Sequence, residues 1–133
     1  MNPPSTIQAS TLVALGGATG AVLRFHTGRL VGAIAGLNAA FPWGTFTINV
    51  SGSLLMGVLA GWLARHGTGG EAWRLLLAVG VLGGFTTFSS FSLETALLVE
   101  RGLWPQAAAY ALGSLVAGVT GLFLGLAIMR GIA

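Results

Sequence analysis

The chain contains no cysteine, no lysine and no aspartate. Without cysteine there are no disulfides, no thiolate chemistry and no cysteine metal sites. Six arginines and three glutamates are the whole of the charged set, 7% of 133 residues, against roughly 25% in an ordinary soluble domain. A water-facing surface cannot be made from so few charges. The cations are scattered along the chain rather than clustered, which excludes a nucleic-acid partner. No nucleophile, base and orienter fall together, and there is neither a pair of acids nor a histidine cluster, so we expect no enzyme. His26 and His66 sit beside arginines near the ends of apolar runs and read as interfacial residues. The opening MNPPSTIQAS lacks the positive start of a secretory signal, so no cleavage is expected.

What is present is oil. Hydrophobic residues make up 54% of the chain and the mean hydropathy is +0.86, which places a single domain, residues 1–133, in a bilayer. A hydrocarbon core of roughly 30 Å needs about 20 apolar residues in helical form. Four windows meet that need, at approximately 8–34, 43–64, 72–99 and 104–130. The second carries no charge and has Trp43 and Trp62 near its ends as interfacial anchors. In the fourth, Pro105 falls where a first helical turn tolerates it. The fold class is therefore all-α, a membrane protein of four transmembrane helices joined by short linkers.

In the first window the uncharged run from Leu12 to Leu23 is short, and RFHTGR follows it. A helix starting near Gln8 carries Arg24 about 24 Å along, close to the far interface. There it either snorkels or faces a cavity. Gly16, Gly20, Gly28, Gly32 and Gly36 fall four apart with Arg24 in the missing slot, and Ser53, Gly57 and Gly61 repeat the interval. Ser114, Gly118, Gly121 and Gly125 form a similar row in the fourth window. Small residues so spaced allow close approach of helix backbones, and we expect a tight bundle.

With alternating spans, Arg65, Arg74 and Arg130 lie on the face holding both termini, against Arg29 and Arg101, with Arg24 nearby, on the other. The positive-inside rule then has almost no preference. Such a chain either inserts both ways and pairs as an antiparallel, dual-topology homodimer, or obeys a weak residual bias.

The third window is longer than one straight span requires, and at its midpoint GGFTTFSSF places two glycines and two threonines in succession. All four are poor helix formers, so we expect a break in mid-span. Irregular backbone at membrane depth survives only where protein or water satisfies its freed groups. Carbonyls from Gly83 to Thr86, at the end of the first half-helix, suit a small hard cation. Amides opening the second half suit an anion instead. Phe88 and Phe91 share a helical face, flanked by Thr87, Ser89, Ser90 and Ser92. Asn49, near the middle of an uncharged span, is either interhelical glue or an ion-facing amide. Tyr110 and Ser114 lie one turn apart on the fourth helix, with Thr120 around the helix from them. Glu94 either guards an entrance or lies at an interface.

Three motifs, GGATGAVLR at 16–24, WGTFTINVSGS at 43–53 and GGFTTFSSFSLE at 83–94, together resemble the CrcB/Fluc fluoride channel family over essentially the whole chain. The resemblance implies an antiparallel homodimer with two fluoride pores and a structural sodium ion, Na+, at the dimer centre. It assigns the sodium ligands to the backbone carbonyls of Gly83 and Thr86 from both chains. Phe88 and Phe91 become the pore phenylalanines, whose ring edges meet fluoride, and Asn49 the pore amide. Thr87, Ser89, Tyr110 and Ser114 supply hydroxyls along the pore, while Arg24 and Glu94 take vestibule or structural places. The family often reads TTFSTF where this chain has TTFSSF, and Ser90 keeps the hydroxyl. The expected partners are fluoride, sodium, a second copy and the lipid bilayer, in the plasma membrane, which is the inner membrane of a bacterial host. The rival readings are a small dual-topology multidrug exporter, which needs an acid in the first span where this chain has none, and a structural assembly protein.

Overall fold

The computed structural model describes residues 4–36, 40–65 and 70–131; His66 and most of the two linkers before Trp43 and Glu71 lie outside them. Helix α1, Thr6–Ala35, opens on a reciprocal cap. The Ser5 hydroxyl accepts from the Gln8 N–H, and Gln8 Oε1 accepts from the Ser5 N–H at 2.9 Å, which satisfies two of the donors a helix start leaves open. The helix runs unbroken through Arg24 to Gly36, whose φ of 88° ends it. Helix α2 spans Trp43–Arg65.

The third long segment is composite. A first turn, α3 (Glu71–Trp73), is tied by bonds of 2.8 and 2.9 Å from Arg74 to Glu71. Residues Arg74–Leu82 then form a nine-residue π-helix, followed by one α-turn, α4 (Gly83–Phe85). The π-helix is a correction to the plain helix expected there; such runs are rare, and no residue pattern announces one. Thr86 and Thr87 are extended, with φ/ψ of −77°/158° and −151°/118°. Helix α5 resumes at Phe88–Glu100, with Thr87 as its cap. Gly102 at φ 74° turns the chain, with Leu103 N–H bonded to the Leu98 carbonyl and Gly102 N–H to that of Val99, a closure that satisfies the last carbonyls of α5. Helix α6, Trp104–Gly131, completes the chain.

Four segments are long and apolar enough to cross a membrane: Thr6–Ala35, Trp43–Arg65, Glu71–Glu100 and Trp104–Gly131. The chain is all-helical, a multi-pass architecture turned apolar side out. Large side chains such as Leu30, Ile34, Leu115, Val116 and Phe123 are exposed, which suits lipid and not water.

Glycine pairs seat the helices in pairs. On α1, a Cβ at Gly16 would overlap the Leu76 carbonyl oxygen, and one at Gly20 that of Val81, so the π-helix lies backbone to backbone on α1. Gly57 of α2 and Gly125 of α6 meet in the same way. Gly28 still meets Gly44 of α2, whereas Gly32 and Gly36 have open space around their Cβ positions, so the row of α1 is a packing seam through Gly28 and no further. Where α5 meets α6, Leu98, Ala107 and the fully buried Tyr110 form the core, with Phe41, Phe46 and Phe91 packed on it.

Candidate functional site

The extended pair at 86–87 is held from α2. Asn49 Oδ1 accepts the Thr87 N–H at 2.9 Å, and Asn49 Nδ2 donates to the Thr87 carbonyl at 3.0 Å. In a continuing helix that N–H would go to the carbonyl of Gly83, four residues back. Likewise the Ser90 N–H, which would go to Thr86, bonds Thr87 Oγ1 at 3.2 Å. The carbonyls of Gly83 and Thr86 are thus released from their helical partners, and Arg24 Nη1 approaches the Thr86 oxygen at 3.4 Å. Arg24 therefore turns its guanidinium onto the protein from within the 30-residue helix α1.

Beside the extended pair lies a cavity of ≈ 360 Å³. Asn49, Thr86, Thr87, Phe88, Phe91 and Ser114 line it together with Gly52, Ser53, Met56, Leu115 and Leu122. The two phenylalanine rings are 5.7 Å apart, and Phe88 is 78% exposed on the single chain. The Ser114 hydroxyl oxygen is buried without a hydrogen-bond partner. A buried polar atom so placed is costly unless something fills the space beside it.

Other expected residues stand elsewhere. Tyr110 is absent from the cavity wall; its hydroxyl donates to Glu94 Oε2 at 2.7 Å, while Thr45 donates to Oε1 at 2.8 Å. Glu94 thereby ties α2, α5 and α6 together, and it stands half-buried. Ser89 is exposed, within 3.3 Å of the Thr87 hydroxyl, and Gly83 is exposed. Thr120 is exposed too and lines no part of this cavity. Among the described residues no group of three or more His, Cys, Asp or Glu side chains can hold a metal. Sequence reasoning missed Ser53 as a wall residue because its spacing with Gly57 and Gly61 pointed to helix packing; its place one turn after Asn49 was the available signal.

A family model described as "CrcB-like protein, Camphor Resistance (CrcB)" matches residues 11–126. The chain belongs to the CrcB family. This CrcB-family chain is 76% identical over 125 residues to a protein of Novosphingobium aromaticivorans named "Fluoride-specific ion channel FluC", covering 94% of this chain and 98% of that one. It is 52% identical to a protein of the same name from Caulobacter vibrioides, over 90% and 93% of the two chains. A "Fluoride-specific ion channel FluC 2" of Nitrobacter hamburgensis is 55% identical over 90% and 94%. The three motifs read from the sequence therefore carry a true family relationship, and these relatives are named as channels, not enzymes.

Proposed function

We propose that the chain is a passive, fluoride-selective channel that lets fluoride leave the cell and so relieves its toxicity. The observation that carries this reading is the cavity on which Asn49, the Phe88 and Phe91 rings and the unpartnered Ser114 hydroxyl converge, in a chain whose CrcB relatives are named for fluoride. Fluoride holds its water strongly, so a pore must return hydrogen bonds as it strips them. Asn49 has a second amide hydrogen beyond the one given to Thr87, and Ser114 a free hydroxyl. The edges of the two rings present the positive end of their quadrupoles.

In this reading two copies insert in opposite directions and pair, giving two pores per dimer in the plasma membrane. The balanced arginines favour neither direction. A structural sodium ion sits between the copies where each breaks its third segment in mid-membrane. The fit is chemical: carbonyl oxygens are ligands for hard cations, and Asn49 and Thr87 release those of Gly83 and Thr86. One chain offers too few oxygens to enclose a cation, so the partner must bring its own pair. Gly83, exposed on the single chain, is reachable by it. The sodium supplies positive charge and a fixed centre; Arg24 steadies the Thr86 carbonyl from the other side.

The test is efflux of fluoride from liposomes holding only the purified protein, with chloride as control. We expect fluoride to run down its gradient without a proton gradient while chloride stays. Proton-driven export of an organic cation instead would identify the exporter, and no transport at all the assembly protein.

A further inference from the structure

A second cavity, of ≈ 270 Å³, adjoins the first. The residues shared by both walls are Ser53, Ser114, Leu115 and Leu122. Two of these are polar, and their hydroxyls, unlike those of Thr86 and Thr87, are not committed. Thr86 spends its hydroxyl on the Leu82 carbonyl at 2.9 Å, and Thr87 donates to Ser90 Oγ at 3.2 Å. One Asn49 N–H goes to Thr87. Ser51, on the same helix as Ser53, turns its hydroxyl back to the Thr47 carbonyl at 2.6 Å, the usual refuge of a helical serine. Ser53 makes no side-chain hydrogen bond to a described residue, and Ser114 Oγ is buried and unpartnered. Across from Ser53 stands Gly118, where an added Cβ would come 3.5 Å from the Ser53 hydroxyl oxygen. The glycine keeps that side of the hydroxyl open.

We propose that Ser53 joins Ser114 as a two-hydroxyl binding station for a small, hydrogen-bond-accepting anion at the passage between the two cavities. The identity of the anion as fluoride rests on the function proposed above. The remaining shared wall is leucine, so an anion leaving Asn49 and the rings meets in this pair the next donors along α2 and α6. Neither hydroxyl must break an internal bond to receive it, which makes the station ready before the ion arrives.

Helix packing alone would ask only that position 53 be small, and alanine is small. The experiment is therefore fluoride efflux from liposomes by Ser53→Ala, Ser53→Cys, Ser114→Ala and the Ser53→Ala/Ser114→Ala pair, each checked for thermal unfolding in detergent. We expect Ser53→Ala to slow efflux about tenfold with its melting temperature unchanged, the scale of one lost hydrogen bond to an ion. Ser53→Cys, equal in shape but a weak donor, should fall with it, and the double variant should lose less than the product of the single losses because both donors serve one ion. Wild-type flux in Ser53→Ala, or losses that multiply independently, overturns the station while leaving the channel in place. Absence of fluoride flux from the unsubstituted protein overturns the channel and with it the anion assigned here.

Discussion

Asn49 grips the backbone of Thr87 on both sides, accepting its N–H at 2.9 Å and donating to its carbonyl at 3.0 Å. The two residues are 38 apart in the chain, and the amide does for Thr87 what a neighbouring strand would do. Asn49→Asp keeps the acceptor and removes the donor, and we expect it to lower stability by about 1–3 kcal/mol through the lost bond to the Thr87 carbonyl and the carboxylate set against that oxygen. Fluoride efflux should fall with it, by about tenfold or more, because the same amide faces the cavity. Thermal unfolding and liposome flux read the two effects separately.

The ring pair makes a different prediction. Phe88 is largely exposed on the single chain, and Phe91 packs 5.1 Å from the Tyr110 ring. Phe88→Ile and Phe91→Ile keep apolar bulk but lose the quadrupole. Throughput should drop about tenfold while the elution volume in size-exclusion chromatography stays that of the unsubstituted protein. Unchanged flux would remove the rings from the pathway.

Glu94 and Tyr110 separate structure from conduction. In Tyr110→Phe the ring remains to fill the core, but among the described residues Glu94 keeps only the Thr45 hydroxyl. The loss should be about 1–3 kcal/mol of stability, read as a lower melting temperature in detergent. Because the Tyr110 hydrogen is already given to Glu94, the effect on flux should be smaller than that of the ring substitutions. A larger flux defect with unchanged melting would place the hydroxyl on the ion path.

Adjacent glycines should behave in opposite ways. Gly16→Ala drives a methyl into the Leu76 carbonyl of the π-helix, whereas at Gly17 the Cβ position is open. The first should cost about 1–3 kcal/mol by overpacking, and the second should be neutral or stabilising by up to about 1 kcal/mol from helix propensity. Equal melting temperatures would contradict the backbone contact between α1 and the π-helix.

Sodium withdrawal tests the proposed dimer centre. Exchange of sodium for a bulky organic cation should shift the protein toward monomer on dilution in detergent, and added sodium should restore the dimer. A dimer indifferent to sodium would leave the carbonyls of Gly83 and Thr86 without that role.

Much of this protein is written in its linear pattern. Four long apolar runs demand four helices in lipid because each is about the length a helix needs to satisfy its own backbone across the membrane and about twice that of a barrel strand, and the motifs around Gly16, Asn49 and Phe88 carry the family. Of the poor helix formers from Gly83 to Thr87, the two glycines stay in an α-turn and only Thr86 and Thr87 are extended, and the Ser5–Gln8 cap was legible as S-x-x-Q, a signal that would have moved the start of α1 from Gln8 to Thr6. Only the folded chain decided how donors and acceptors are shared. That Asn49 holds Thr87, that Arg24 reaches Thr86, that Tyr110 spends its hydrogen on Glu94 while Ser53 and Ser114 keep theirs: each depends on which helix lies across the gap. Hydropathy and spacing describe one helix at a time, and a hydrogen bond between helices is a property of two.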